Sequence, residues 1–423
     1  MERTVKVGVI GCGPRGRGLI KTICACKEAE IVAVCDIYQD RVDSSIALIE
    51  GRRGNTPLGY TDSDQLLANK DVEAVLISAG WEAHLSLATA SMKAGKITAL
   101  EVSGMFSVED CWELVNVYEQ TKTPLMFMEN CCYDKYELLA TSLARAGRLG
   151  EIVHCHGSYS HDLRKEIAES NLTRHYRLQP YIDHNCENYP THELGPIAKL
   201  LDINRGNRMV RLVSMASKSA GLQAYIDEKR VDDPLLEGVK IKQGDVVSTI
   251  ITCENGETIT MTLDTSLPRY YSREFTVKGT KGMLVQEPEI VYIEGDAVSH
   301  HYHHHVKNAD NYKAYLPSIW TDISDEEKKL GHGGMDYFLF KGFFDAILSG
   351  SEMPIDVYDA AAWMCITALS EKSIAEGGMP QEIPDFTRGA WKTRPRLDVL
   401  EFPTVVLDEN AEKAEKKEDA DWM

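Results

Sequence analysis

Three glycines at a fixed spacing constrain the fold of this chain more than any other feature. Gly11, Gly13 and Gly16 follow directly on an apolar, β-branched segment at residues 5–10. Such a segment predicts a buried parallel strand, and the glycines predict a tight turn into a helix. The first glycine permits the turn, the second lets the backbone approach a pyrophosphate, and the third lets the helix pack on the strand. The pattern therefore predicts a doubly wound α/β domain that binds a dinucleotide at the start of that helix.

A second apolar segment, at residues 31–35, ends in Asp36. A carboxylate at the end of the second strand can accept hydrogen bonds from both ribose hydroxyls. Because the same charge repels a 2′-phosphate, we expect NAD and not NADP as the cofactor. The alternative interpretation is an ordinary glycine turn between a strand and a helix.

Composition limits the partners and the compartment. The chain has 423 residues, of which 43% are hydrophobic, and this predicts two domains. The net charge of −19 argues against nucleic acid or an anionic membrane as a partner. No apolar run is long enough to cross a membrane, and the first strand begins too early for a signal peptide. Eleven cysteines, an odd number, do not form a disulfide pattern, so we expect a cytoplasmic protein.

The pattern of strands changes from residue 150, and we place the boundary between the two domains at residues 128 and 129. Residues 1–128 alternate strands with helices, which predicts the parallel sheet of a dinucleotide-binding (Rossmann) domain. Residues 129–395 form a predicted α+β domain with a large, mostly antiparallel open sheet. Its strands are predicted at 151–161, 209–218, 245–254, 256–264, 274–279 and 290–294, and its helices at 334–349 and 357–376 are candidates to pack back on the first domain. Residues 396–423 form a third segment, whose charged tail at 408–421 is predicted to be disordered.

One predicted strand carries two groups that can transfer protons. With a period of two, Gly157, Tyr159 and His161 share one face of the strand at 151–161. The glycine leaves space for a ligand beside the phenol and the imidazole. The alternative is that both side chains only pack against a neighbouring strand.

His192 lies at a predicted helix start. Tyr189, Pro190 and Thr191 precede it, and proline and threonine are typical of a helix amino terminus. The positive end of the helix dipole favours a neutral imidazole, which suits a base or a group that polarises a hydroxyl. A capping histidine without a catalytic role is the alternative.

Five histidines lie close together at His300, His301, His303, His304 and His305. The segment lacks carboxylates or cysteines at the fixed spacing of zinc sites. We therefore predict a solvated or interface loop there, and no metal in the protein.

These motifs resemble two related families. The amino-terminal half is similar to the superfamily of glucose–fructose oxidoreductase and inositol dehydrogenase, whose dehydrogenases carry Glu-Lys-Pro after the fifth strand. Here Glu101-Val102-Ser103-Gly104 lacks the lysine, which argues against a plain dehydrogenase. From residue 5 to about 395 the chain more closely resembles the NAD-dependent glycoside hydrolases typified by bacterial α-N-acetylgalactosaminidase. The segments that carry this resemblance are Trp81–His84, Glu101–Gly104, Met128–Tyr133, Gly157–Arg164, Tyr189–His192, Asp202–Arg208, Asp264–Leu267 with Tyr271, Gly331–Tyr337 and Leu369–Glu376.

The resemblance implies hydrolysis through transient redox chemistry. Bound NAD⁺ would take a hydride from C3 of the sugar, and the resulting ketone would acidify the C2 proton. A base would remove that proton, the C1 leaving group would be eliminated, water would add, and the hydride would return. Such a route needs no pair of catalytic carboxylates and leaves no net redox change.

The resemblance also implies which residues line the site. Beside the three glycines, the residues expected to contact NAD are Pro14, Arg15, Asp36, Trp81, His84, Glu101, Val102 and Asn130. Those expected at the sugar are Tyr159, Tyr189, Thr191, His192 and Tyr271, with Glu129 and His161 close by. Tyr159 is the expected C2 base, helped by His161, and His192 is expected at the C3 hydroxyl. The split of these roles stays open.

The chain departs from this family around the sugar. Leu172 stands where an arginine of the family reaches the substrate, and Glu193 stands where a glycine is usual. Related enzymes cleave sulfoquinovosides, whose C6 sulfonate needs a cation, and Arg174 and Arg177 are expected to supply it. His184, Arg269 and Arg273 are further available cations.

We therefore expect a sulfoquinovoside slightly ahead of an α-N-acetylgalactosaminide as the substrate. The alternatives are a sugar dehydrogenase that releases NADH and a non-catalytic NAD-binding sensor. We also expect a homo-oligomer, either a dimer or a tetramer.

Overall fold

A computed structural model describes residues 3–230, 232–296 and 299–405. The predicted disordered tail at 408–421 lies outside these residues. All eleven cysteines lie within them and are free thiols, ten of them buried.

The amino-terminal domain is built on a parallel sheet. Its strands are β1 (Val5–Ile10), β2 (Ala29–Cys35), β3 (Leu58–Tyr60), β4 (Ala74–Ile77), β5 (Ile97–Leu100) and β6 (Leu125–Phe127). Its helices are α1 (Pro14–Ile23), α2 (Gln39–Arg53), α3 (Ser63–Ala68), α4 (His84–Lys93) and α5 (Val108–Thr121). The strand order, over the described residues, is β3-β2-β1-β4-β5-β6. The order reverses between β1 and β4, and ligands of such sheets bind at the carboxyl ends of the strands at that point.

The second domain is built on an open, mostly antiparallel sheet. Its strands are β7 (Ile152–Ser160), β8 (Met209–Ala216), β9 (Val246–Cys253), β10 (Thr258–Asp264), β11 (Thr276–Gly279), β12 (Gly282–Val285), β13 (Ile290–Ile293) and β14 (Gln381–Glu382). In the described ranges their order is β13-β12-β11-β7-β10-β9-β8-β14, and β7 and β10 form its parallel pair. The predicted fold class, a Rossmann sheet followed by an α+β domain with an open sheet, is confirmed.

The remaining helices lie in the second half of the chain. They are α6 (Lys135–Arg145), α7 (Arg164–Ala168), α8 (Ser170–Thr173), α9 (Leu178–Asp183), α10 (Thr191–Leu200), α11 (Gly221–Lys229), α12 (Ser318–Thr321), α13 (Met335–Ser349) and α14 (Val357–Ala375). Helix α10 packs on β7, while α14 contacts both β8 and α5, and α13 contacts α1. Helices α13 and α14 therefore join the two domains. None of the helices in the described ranges combines the length and apolar composition that a membrane crossing requires.

Strands β3, β12 and β14 were not predicted from the sequence. They contain three, four and two residues, and β3 (Leu-Gly-Tyr) and β14 (Gln-Glu) lack the apolar run by which other strands of similar length were predicted. In the described ranges β3 and β14 lie at the edges of their sheets, and β12 lies between the predicted strands β11 and β13.

Candidate active site

The glycine-rich turn after β1 is built for close approach of backbone to backbone. Gly11 has φ +94°, and a Cβ there would lie 2.5 Å from the Ser78 carbonyl carbon. A Cβ on Gly16 would lie 1.9 Å from the Gly11 carbonyl oxygen. Gly13 is different, because a Cβ there would meet only the end of Arg41, at 3.4 Å. The first and third glycines are thus required by the protein itself, while the second leaves an open face beside the start of α1, as a pyrophosphate needs.

Asp36 is fixed beside this turn. Its Oδ2 accepts a hydrogen bond from the Cys12 N–H at 2.8 Å, and its Oδ1 accepts one from the Tyr38 N–H at 3.0 Å. The guanidinium of Arg41 lies 3.8 Å from Oδ2. The carboxylate is therefore held at the end of β2 in the place that the ribose of a bound dinucleotide requires.

Replacing Asp36 by alanine is expected to weaken NAD binding by about 10- to 150-fold and NADP binding much less. Two hydrogen bonds to a charged group contribute about 1.5–3 kcal/mol, and the variant loses them for NAD. The change also frees Arg41 to pair with a 2′-phosphate. Calorimetric titration with each cofactor measures the effect. Asp43→Ala is the matched control, since Asp43 lies on the following helix α2 and accepts a hydrogen bond from the exposed Gln39. Equal losses for both cofactors in Asp36→Ala would contradict the prediction.

Arg15 at the start of α1 is the centre of an ion-pair network. It donates to Glu101 at 2.8 Å and to Asp336 at 2.6 Å. The Asn130 amide donates to the other oxygen of Asp336 at 2.7 Å. Burial raises the pKa of Asp336, but Arg15 and His332 outweigh it and hold that pKa well below its usual range. Two residues predicted to contact the cofactor, Arg15 and Asn130, are thus connected through Asp336, a residue for which the sequence indicated no role, and Arg15 connects the third, Glu101.

His84, Trp81 and Val102 are buried at the carboxyl ends of β4 and β5. The His84 ring nitrogens face two backbone carbonyl oxygens, of Ser103 at 2.8 Å and of Ala79 at 3.1 Å. Burial lowers the pKa of His84, and the two carbonyl oxygens oppose that shift. In this structure His84 therefore connects the two loops that follow these strands, and a direct contact with the cofactor stays a prediction.

The residues expected at the sugar form one aromatic cluster. Tyr159 and Tyr189 stack with ring centroids 4.4 Å apart, and His192 lies edge-on to Tyr159 at 5.4 Å. His161 lies 6.1 Å from Tyr159 and 5.3 Å from Tyr271. These five residues come from β7 and the residue directly after it, from the loop before α10, from the first turn of α10 and from the loop before β11. We call them the aromatic cluster.

Glu129 and His192 form a buried pair at the edge of the aromatic cluster. His192 Nδ1 lies 2.8 Å and 2.9 Å from the two carboxylate oxygens, and the Cys131 N–H donates to the carboxylate at 2.9 Å. Burial raises the pKa of Glu129, but the charge and hydrogen bond of His192 outweigh it, so that pKa lies below its ordinary value. Because Nδ1 is engaged, Nε2 is the nitrogen that can meet a substrate. Thr191, predicted at the sugar, is fully buried with its hydroxyl beside Glu129, which places it behind the site.

Arg177 lies inside the aromatic cluster. Its guanidinium carbon is 5.4 Å from the Trp81 ring centroid and 5.1 Å from that of Tyr189. Its ion-pair partner is the exposed Glu166, at 3.2 Å. Burial raises the pKa of Tyr159, and the charge of Arg177 opposes that shift. Arg177 is therefore a buried cation in contact with the predicted base.

Of the other predicted arginines, Arg174 and Arg269 lie elsewhere, while Arg273 borders the aromatic cluster and donates to the Tyr271 hydroxyl at 3.2 Å. Arg174 donates to Asp40 at 2.7 Å and stacks on Tyr38 at 4.3 Å, both in the dinucleotide-binding domain. Arg269 is paired with Asp264 and Glu274, and Arg273 with Asp134 and Glu137. The prediction that Arg174 binds the substrate is not supported by its surroundings, because its guanidinium is bound to a carboxylate outside the aromatic cluster.

One group in the described part of the chain brings three potential metal ligands together. Atoms of Glu129, Cys131 and His192 lie within 4.8 Å of one another. Burial raises the pKa of the Cys131 thiol well above its usual value, and the carboxylate already binds His192. The five histidines at 300–305 are not such a group, and only His305 among them is buried. The absence of a metal stays a prediction.

The fold and the site define a class of protein, an NAD-binding Rossmann domain joined to an open-sheet domain. Residues 5–128 match the oxidoreductase family with an NAD-binding Rossmann fold. Levoglucosan dehydrogenase in complex with NADH and levoglucosan has a similar structure, with a TM-score of 0.69 and 18% identity over 90% of this chain and 100% of that chain. Scyllo-inositol dehydrogenase from Lactobacillus casei, solved with NAD(H) and scyllo-inositol, has a TM-score of 0.63 and 14% identity over 90% and 99%. At such identities the likeness establishes the fold.

The second domain narrows the class to a family. Residues 133–393 match the carboxyl-terminal domain of glycosyl hydrolase 109. The chain is 37% identical over 410 residues to α-N-acetylgalactosaminidase from Tannerella forsythia, covering 92% of this chain and 87% of that protein. It is 34% identical over 403 residues to α-N-acetylgalactosaminidase from Shewanella oneidensis, covering 94% and 88%. The chain therefore belongs to glycosyl hydrolase family 109 and is an NAD-dependent glycoside hydrolase, which confirms the resemblance and the cofactor predicted from the sequence.

Proposed function

We propose that this protein hydrolyses a small glycoside by transient oxidation at C3, elimination across C1 and C2, addition of water and re-reduction. One observation carries the proposal. Tyr159 and His192 stand in one aromatic cluster, and Trp81 of the dinucleotide-binding domain packs on Tyr189 of that cluster at 5.8 Å. A sugar bound at the cluster would thus lie at the boundary with the cofactor domain, where hydride transfer requires it.

The surroundings of His192 and Tyr159 favour a different role in the reaction for each of them. Bound NAD⁺ supplies a reversible hydride acceptor for C3. Nε2 of His192 accepts the proton of the C3 hydroxyl, while Glu129 on Nδ1 stabilises the imidazolium that forms. Tyr159 removes the C2 proton, which the C3 ketone has made acidic, and Arg177 stabilises its phenolate. No carboxylate acts on the anomeric carbon in this sequence of steps.

Two sugars are candidate substrates. The relatives in Tannerella forsythia and Shewanella oneidensis bear the name α-N-acetylgalactosaminidase, and an α-N-acetylgalactosaminide is our first candidate. A sulfoquinovoside is the second, favoured by the buried Arg177, which could pair with a sulfonate. Arg174, Arg269 and Arg273 are bound to carboxylates, and Arg177 itself pairs with the exposed Glu166, so the second candidate requires a sulfonate to displace Glu166 from one buried arginine. We therefore reverse the order expected from the sequence.

Hydrolysis in D₂O is expected to give a product sugar with deuterium at C2, and a substrate deuterated at C3 is expected to react more slowly. Both results follow because the C2 proton exchanges with the base and the C3–H bond breaks in each turnover. Mass spectrometry of the product and the ratio of the two rates measure them. Protium at C2 together with equal rates for the two substrates would indicate direct displacement and would overturn the proposal.

The same assay separates the alternatives. Release of NADH in proportion to sugar consumed would identify a dehydrogenase. Protein that binds NAD but releases neither aglycone nor NADH would be a sensor. Aryl α-N-acetylgalactosaminide and aryl sulfoquinovoside, assayed side by side, decide the substrate, because turnover of the first alone removes the sulfonate candidate.

A further inference from the structure

Two buried carboxyl groups lie behind the aromatic cluster, and the steps proposed above use neither of them. Glu193 follows His192 in the first turn of α10, and Glu187 lies two residues before Tyr189. Their exposed fractions are 1% and 0%. Their side chains face each other. In the described ranges no basic side chain forms an ion pair with either, and no aligned donor reaches their four carboxyl oxygens.

The surroundings of the pair belong to the active site. The backbone N–H of Tyr159 faces Glu193, and that of Tyr189 faces Glu187. A Cβ on Gly157 would lie 2.8 Å from the Glu193 carbonyl oxygen, so α10 and β7 meet here without a side chain between them. The Glu187 N–H donates to Ser370 Oγ of α14 at 2.8 Å.

The titratable groups that face the pair are a thiol and a third carboxylate. The Cys186 thiol lies next to Glu187, and Glu274 adds a negative charge on the side of Glu193. The pair is therefore bounded by strand, loop and helix, and the charge nearest to it is negative.

Two carboxyl groups in such a place cannot both be ionised. Burial and mutual repulsion disfavour a second negative charge, which favours a state of the pair that holds one proton. Burial raises the pKa of Glu187 to about 8 and that of Glu193 well above its ordinary value. A carboxylic acid that donates to a carboxylate forms a short, strong hydrogen bond. Such a bond between Glu187 and Glu193 would join the segment before α10 to the helix itself.

We infer that Glu187 and Glu193 share one proton, and that this hydrogen bond positions Tyr189 and His192 against Tyr159. The inference rests on the function proposed above, since it gives the two acids a positioning role in that reaction. Loss of the shared proton would leave two carboxylates that repel each other and would move the two segments apart. The site would then lose its alignment as the pH rises through the second ionisation of the pair.

Activity tests the positioning role. Glu193→Gln and Glu187→Gln each keep a neutral donor opposite a carboxylate, and this donor cannot ionise. For the wild-type protein kcat is expected to fall at alkaline pH, and in both variants this decline is expected to move up by at least one pH unit. A substitution that only loosened the fold would lower activity at every pH and leave the position of the decline unchanged.

Stability tests the shared proton without any need for activity. The folded pair holds one proton that an unfolded chain, with a glutamate pKa of about 4.3, releases. Wild-type stability is therefore expected to fall as the pH rises between about 5 and 8. Thermal unfolding of the NAD-loaded protein over this pH range measures how steeply stability falls with pH. In each variant this slope is expected to be smaller, by the amount that corresponds to one bound proton.

The two readouts together decide the matter. If the slope of stability against pH and the alkaline decline of kcat both change in the variants as described, the inference stands. If either keeps its wild-type value in both variants, the inference is overturned. If no glycoside is hydrolysed but the slope behaves as expected, the shared proton stands and the proposed function fails. Should one variant not fold, the other and the wild-type slope still give the answer, because a wild-type protein without that slope holds no shared proton.

Discussion

Tyr159→Phe is expected to lower kcat by about 10²- to 10⁴-fold, the range that a positioned general base contributes. The phenol is the group in the aromatic cluster that the proposed route uses to remove the C2 proton, and phenylalanine keeps the stacking on Tyr189. NAD binding is expected to be unchanged, because the hydroxyl is not part of the glycine-rich turn. Steady-state hydrolysis of an aryl glycoside and a cofactor titration measure the two effects.

Tyr181→Phe is the matched control for this change. Tyr181 is also buried, and its hydroxyl hydrogen-bonds Thr265 Oγ1 at 2.6 Å outside the aromatic cluster. The control is expected to cost about 1 kcal/mol of unfolding free energy and to leave kcat within a few-fold of wild type. Tyr159→Phe with a kcat as high as that of the control would show that another group is the base.

Glu129→Gln is expected to lower kcat by about 10²- to 10⁴-fold, by the argument that holds for the carboxylate of a catalytic triad. The carboxylate keeps the proton of His192 on Nδ1 and stabilises the imidazolium, and an amide does neither reliably. The loss is expected in kcat with little change in KM, since Glu129 is fully buried behind His192. Single-turnover and steady-state kinetics separate the two constants.

Glu371→Gln is the control for that variant. Glu371 also binds a histidine nitrogen, His184 Nδ1, at 2.8 Å, but this pair is not part of the aromatic cluster. The control is expected to retain near wild-type kcat. A loss in the control as large as that in Glu129→Gln would mean that the rate reports general damage to the fold.

The pH dependence of stability gives an independent check on Glu129. Its pKa is lowered in the folded protein, so its ionisation stabilises the fold above an unfolded-state pKa of about 4.3, and this contribution is lost as the pH falls through the folded value. Glu129→Gln is therefore expected to be less sensitive to acid than the wild type below about pH 4.3. If Glu129→Gln lost stability in acid more steeply than the wild type, the predicted direction of the effect would be wrong.

Local patterns were sufficient to predict the parts of the site that one turn or one helix start builds. The glycine-rich turn, the end of β2 at Asp36 and the helix start at His192 are each encoded within a few residues. The same holds for Tyr159, which shares one face of β7 with Gly157. In each case the backbone geometry that creates the position is visible in the sequence next to it.

Contacts between distant segments could not be predicted in this way. Arg15 and Asp336 are 321 positions apart, and Glu129 and His192 are 63 positions apart. No periodic pattern records such a pairing. Arg174 is a second example of this limit. Its positive charge predicts an anionic partner, but the sequence does not say whether that partner is a ligand or Asp40.

The bond from Arg15 to Asp336 makes the dinucleotide-binding region dependent on the far end of the chain. A fragment cut after residue 128 would keep Arg15 and Glu101 but lose both Asp336 and Asn130, and with them half of the network at the start of α1. The dinucleotide-binding region is thus not a self-contained module, although its parallel sheet is of a common type. A chimera that exchanged it between relatives would have to carry residues 331–336 as well, so the two parts of this enzyme are expected to evolve as a single unit.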